Sequence, residues 1–233
     1  MVEAVDGGAT AVTVRGEFKD PSTLLRWVSG MLIACSLAAF VALILRVLEY
    51  RLLAQMASGI IASADMMQAA QASDVRVEAS SGLRAGIFLA TCIPFGMWIY
   101  RANRNVRALG AADLKHSAGW EVGSYVVPFV NLVVPFLAMR EIWRASLDPG
   151  NWQNARGTPL LGWWWFLWLA NGASGWIAMS LLKGAHGIGM AQGASLTAAA
   201  QDIFQIALNV VAILLVRRIT ANQLAQATVI DVF

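Results

Sequence analysis

The sequence predicts an all-α integral membrane protein, with four transmembrane helices plus a Pro-broken, re-entrant segment. Three observations carry that expectation. The first is composition: the 233 residues are 58% hydrophobic and 13% charged, whereas soluble domains run at about 45–50% apolar and about 25% charged. The second is the recurrence of apolar runs long enough to cross a bilayer. The third is that Lys and Arg fall on one side of a single threading of the chain. The net charge of +3 is too small to point to nucleic acid. In such a chain the placement of basic residues matters more than their sum.

Residues 1–22 hold Gly7, Gly8, Thr10, Thr13 and scattered charges without helical periodicity, and read as a flexible cytoplasmic tail. A membrane domain is expected over 23–218. Asp20-Pro21-Ser22 marks its first helix start. The first span, 27–45, has 19 residues; at ~1.5 Å each they cover the ~30 Å hydrocarbon core. It is longer than the apolar core of a cleavable signal, so it reads as a signal anchor. Arg46 at its far end can snorkel.

An extracytoplasmic connection is expected over 51–83. Leu52, Leu53, Met56, Ile60, Ile61 and Met67 recur at helical spacing, so its first half reads as an amphipathic helix. Its second half, with Asp74, Arg76, Glu78, Ser80 and Ser81, reads as a polar loop. The second span, 85–100, is expected to kink at Pro94 and to end in an interfacial Trp98 and Tyr100.

Residues 101–118 form the densest basic stretch between apolar runs, with Arg101, Arg104, Arg107 and Lys115. Segment 119–138 has the length of a span but carries Pro128 and Pro135 on either side of Asn131. Each proline costs about 3 kcal/mol inside a helix. Broken backbone at membrane depth survives only when buried in protein or facing a wet cavity. A hairpin with its tip near Asn131 is the expectation. An interfacial helix over 139–146 and a turn at Asp148-Pro149-Gly150-Asn151 follow. The third span, 160–182, opens with Trp163, Trp164, Trp165 and Trp168. A Gly-, Ala- and Ser-rich loop over 183–198, a fourth span over 199–216 and a cytoplasmic tail over 219–233 complete the chain.

Charge chooses between two threadings. If 119–138 crossed fully, Lys and Arg in the flanks would divide evenly. If it turns back, Arg15, Lys19, Arg26, Arg101, Arg104, Arg107, Lys115, Arg140, Arg144, Arg156, Arg217 and Arg218 lie inside, against Arg51, Arg76, Arg84 and Lys183 outside. The positive-inside rule favours the second, with both termini cytoplasmic. Tryptophan agrees: all but Trp176 then fall near the cytoplasmic interface.

The central pattern adds a resemblance. It comprises Trp98, Tyr100-Arg101-Ala102, Asn105 and Ala108-Leu109-Gly110-Ala111. It continues with Ser117, Gly119-Trp120, Gly123, Pro128-Phe129, Asn131-Leu132 and Pro135, and ends in Met139-Arg140-Glu141-Ile142-Trp143-Arg144-Ala145-Ser146. From 98 to 168 the chain resembles the DUF4328 family of bacterial membrane proteins. The resemblance implies a multi-span protein of the bacterial plasma membrane and brings no activity. Glu121 stands where an apolar or small residue is expected, and Ala118 where proline is usual.

Candidate chemistry follows from residue type. Arg101, Arg104, Arg140 and Arg144, with Asn105, Trp120, Glu141 and Trp143, are expected to form a cytoplasmic face for anionic phospholipid headgroups or a protein partner. Guanidinium forks suit phosphate and stack on indole. The plainer account is charge anchoring with interfacial tryptophan. Asn131, Asn171 and Asn209 sit mid-segment and either line a polar path, as in a small transporter or channel, or hydrogen-bond between helices. An enzyme with Glu121 or Glu141 as acid or base ranks last. Cys35 and Cys92 read as small hydrophobes within apolar runs. His116 and His186 stand alone, so neither metal nor other cofactor is expected. The function expected is non-enzymatic.

Overall fold

The computed structural model describes residues 17–59, 63–184 and 187–230, and they contain helices and no strand. Expectations that rested on residues 1–16, Ile60, Ile61, His186 and 231–233 lie outside the described residues. In chain order the elements are α1 (Ser22–Ala57), α2 (Ser63–Ala108), α3 (Ala118–Gly123), a 3₁₀ turn (Val130–Leu132), α4 (Val134–Leu147), a second 3₁₀ turn (Trp152–Asn154), α5 (Pro159–Lys183) and α6 (Ile188–Ile230).

Local chemistry sets the ends. Asp20 Oδ1 accepts the Ser22 N–H at 2.8 Å and Pro21 precedes the first helical residue. Those Ser22 hydrogen bonds hold the Asp20 carboxyl below its ordinary range. Ser117 Oγ caps α3 by accepting from the Trp120 N–H at 3.3 Å. Thr158 Oγ1 does the same for α5 from Leu160, with Pro159 in the first turn.

The helices outrun the expected spans. The polar loop expected over 74–83 is helix, because residues 63–81 contain neither Pro nor Gly and nothing there stops propagation. The Gly-rich loop expected over 183–198 shrinks to the few residues between α5 and α6. Tertiary contact wins there: Ser195 Oγ lies 3.2 Å from the Arg46 carbonyl of α1. At the far end, α6 continues through the expected tail to Ile230.

Among the described residues three helices are long and apolar enough to cross a membrane: α1, α2 from Met67 and α6 up to Thr228. Protein buries only 22%, 17% and 33% of their apolar stretches, so most of that surface needs another apolar medium. In α1 large apolar side chains lie on both faces. Its buried face is Val28, Ser29, Leu32, Ala39 and Ala42, while Leu37, Phe40 and Val41 are more than half exposed. α5 has 25 residues, but its tryptophans, each with an indole N–H, dilute its hydropathy.

α1 packs on α2 and α6, and α6 packs on α5, whereas α2 and α5 hardly meet. The core gathers at one end of the bundle around Val28, Trp98, Met139, Ile142, Leu215 and Ile219. No helix runs through 119–138. Pro128 and Pro135 bracket a turn in which Phe129 takes φ +63° and Val130–Leu132 winds as 3₁₀. The segment leaves and returns at the same end of the bundle. Asn103 of α2 donates to the His116 carbonyl before it (3.2 Å), and Gln226 of α6 donates to the Leu147 carbonyl after it (2.8 Å). A hydrogen bond from Asn105 to Gln223 (3.2 Å) ties those two helix ends together.

Candidate site: two joined chambers between the helices

The gap between α2 and α5 is a cavity of about 970 Å³. Phe88, Phe95 and Ile99 of α2 form one wall, Trp164 and Trp168 of α5 another, and Leu208 and Ala212 of α6 a third. Tyr125, just past α3, bridges α2 and α5: its ring stands edge-on to Phe95 at 6.2 Å and to Trp168 at 5.8 Å. Gly96 permits that approach, since a Cβ there would sit 3.2 Å from Val122 Cγ1.

Asn131, Asn171 and Asn209 all line this cavity. Two of them belong to a chain of amides crossing three helices. Asn171 donates to Gln205 Oε1 (3.0 Å), Gln205 to Asn209 Oδ1 (2.9 Å), and Asn209 to Ser36 Oγ (3.1 Å), whose hydroxyl donates to the Leu32 carbonyl (2.9 Å). Asn171 Oδ1 is buried with no partner, an open acceptor in an otherwise apolar wall. The reading from sequence missed Gln205. Its signal was the helical repeat of Gln201, Gln205 and Asn209 within one apolar run.

A second chamber of about 550 Å³ adjoins the first and shares Cys35, Phe88, Asn171 and Gln205 with it. Here the walls are charged, by Arg46 and Glu49 of α1 and Asp74 and Arg84 of α2. Arg46 Nη1 lies 3.1 Å from Glu49 Oε2, which also lies 3.0 Å from Ser195 Oγ. Arg84 Nη1 sits 2.7 Å from Oδ1 of Asp202 on α6, a side chain with no solvent exposure. Asp202 Oδ2 has no hydrogen-bond donor. A Cβ on Gly175 would come within 2.6 Å of Gln201 Nε2; that glycine makes room for the amide against α5.

The expected Arg/Trp face divides. Asn105, Glu141 and Trp143 are buried and spend their polar atoms inside. Asn105 bonds the Lys19 backbone at both its N–H and its carbonyl. Glu141 Oε2 accepts the Lys115 N–H at 3.0 Å, and Oε1 lies 3.1 Å from His116 Nδ1. Trp143 donates to the Arg156 carbonyl, and Arg144 reaches the Gln153 carbonyl at 3.5 Å. Arg104, Trp120 and Arg140 are exposed and Arg101 half-buried. Arg104 lies over the Tyr100 ring at 6.0 Å and Arg140 over Phe136 at 5.9 Å. These residues form a knot that ties α2, α4 and α6 together, with a few cations on its outer rim.

Glu121, in the short α3 outside the long helices, is fully buried, and neither carboxylate oxygen has a partner. Burial pushes its pKa up to about 8; Asn103 and Arg107 pull it down by less, and Glu141 adds to the rise. Neither Glu121 nor Glu141 lines either chamber; the carboxylates that do are Glu49 and Asp74, in the charged one.

A family model described as "Domain of unknown function (DUF4328)" matches residues 62–221. The chain belongs to the DUF4328 family. No curated protein and no solved structure matches it. The DUF4328 segment reaches well beyond the resemblance read over 98–168: it begins at the foot of α2 and ends within α6. Nearly all the apolar chamber therefore lies inside the family segment, while Leu32, Cys35, Arg46 and Glu49 come from α1 outside it.

Proposed function

We propose that this DUF4328 protein is a non-enzymatic, four-span protein of the bacterial plasma membrane that binds a membrane amphiphile in the cavity between α2 and α5. α1, α2, α5 and α6 are the spans, 119–138 is re-entrant, and both termini are cytoplasmic. The observation that carries the reading is the cavity itself. At about 970 Å³ it stands at the top of the range that holds drug-sized ligands. Its walls are apolar and aromatic, with a short row of amides to orient a guest. The single-face return of 119–138 and the distribution of Lys and Arg support the threading.

Arg101, Arg104 and Arg140 at the knot would meet anionic headgroups of the inner leaflet, each contributing on the order of 1 kcal/mol. A second reading, passage of a solute, is favoured by one observation: the chambers connect through Asn171 and Gln205, which line both.

Gly172 lines the apolar chamber, and a Cβ there meets nothing within 4 Å. Gly172→Phe should fill the space while favouring the helix. Native mass spectrometry of the purified protein should then show retained lipid falling about tenfold, the loss of roughly 1.4 kcal/mol of affinity. Unchanged retention, with thermal stability preserved, would rule the cavity out as the binding site.

A further inference from the structure

The charged chamber limits what headgroup such an amphiphile carries. Arg46, Arg84, Glu49 and Asp74 line it, and Asp202, outside the lining, backs Arg84. Glu49 engages Arg46 and Asp202 engages Arg84. Asp74 is exposed and makes no ion pair among the described residues. Asp74 is thus the lining carboxylate open to a further cation.

Both arginines keep donors in reserve. A guanidinium offers five N–H groups, and the side chains remain 18% and 22% exposed. Both line the chamber, and each has donors left to offer a phosphate. A group that brings an anion to the arginines and a cation to Asp74 satisfies all of them. The form of the cation follows from the walls. Quaternary ammonium is held by aromatic cages, and Phe88 is the sole aromatic side chain lining this chamber. A primary ammonium needs acceptors, which the Asp74 and Glu49 carboxylates supply.

Length is consistent with one molecule. Leu32 lines the apolar chamber and Glu49 the charged one. Seventeen residues of α1 separate them, about 26 Å. That is a half-bilayer of about 15 Å of chain with a headgroup beyond it.

We infer that the joined chambers hold one zwitterionic glycerophospholipid bearing a primary ammonium. Its phosphate lies between Arg46 and Arg84, its ammonium lies on Asp74, and an acyl chain runs past Asn171 into the apolar chamber. This rests on the cavity reading above.

The test is a lipid competition on the full chain in nanodiscs containing equal phosphatidylethanolamine, phosphatidylcholine and phosphatidylglycerol. Lipids that stay bound after extraction are read by native mass spectrometry. The intact protein should retain the ethanolamine lipid about tenfold over the other two, the scale of one charge-assisted pair. Asp74→Asn, on an exposed side chain, should bring that ratio near unity. Gly172→Phe should reduce all three equally. Equal retention of ethanolamine and choline lipids by the intact protein, preference for the glycerol lipid, or an undiminished ratio in Asp74→Asn overturns the headgroup assignment and leaves the cavity reading standing. Retention untouched by Gly172→Phe overturns both.

Discussion

Glu121 is the residue whose surroundings depart furthest from what its chemistry asks. A carboxyl without a donor or a water-facing edge is held neutral, and its pKa of about 8 against an ordinary 4.5 ties stability to pH. Between those values the folded chain keeps a proton that the unfolded chain has released. Stability is therefore full below pH 4.5 and declines as pH climbs, by up to about 1.4 kcal/mol per unit until the folded group ionises. Thermal unfolding in detergent from pH 5 to 9 should show that decline, and Glu121→Gln should flatten it. A slope identical in the variant would mean the carboxyl is already ionised at neutral pH. Sequence alone flagged Glu121 as out of pattern at an interface; its complete burial beside Asn103 and Arg107 of α2 is a tertiary fact that no local spacing encodes.

Among elements, α2 and α6 touch little along their length, and the Arg84–Asp202 pair joins them far from the knot. Removing one partner of a buried pair leaves a stranded charge, at about 3–5 kcal/mol. Arg84→Met should lower the thermal midpoint markedly, and Arg84→Met with Asp202→Leu should recover most of the loss. A double variant as unstable as the single would show that Asp202 is not what Arg84 neutralises. The helices were legible as apolar runs, and the break at Pro128 and Pro135 as two missing donors. Their full lengths were not. Asp74 to Ser81 looks like a loop by polarity, yet it is helix, and of its polar residues Asp74 and Ser81 line the charged chamber. Similarly, the glycines near 184–193 gave the signature of a loop, but α6 starts among them because Ser195 finds its partners on α1.

The whole molecule has one architectural commitment: everything between α2 and α5 stays at one end. Single cysteines at Asp148, Thr228 and Arg76, in a background with Cys35→Ala and Cys92→Ala, test it with an impermeant maleimide on intact cells. Asp148→Cys and Thr228→Cys should be protected together and Arg76→Cys labelled. Labelling of Asp148→Cys alongside Arg76→Cys would require 119–138 to cross the bilayer. In the sequence, charge bias is the argument for this threading. The joined chambers were not readable, because they arise from the failure of two helices distant in sequence to pack, and only Asn131, Asn171 and Asn209 hinted that something polar faced that gap.

The DUF4328 segment builds the hydrophobic compartment, but Arg46 and Glu49 are contributed by a helix that precedes it. Headgroup recognition as proposed is therefore shared across that boundary, by Arg46 and Glu49 before it and Asp74 and Arg84 within it. Exchange of the leading helix would alter half of those polar partners and, through Leu32 and Cys35, part of the apolar wall as well.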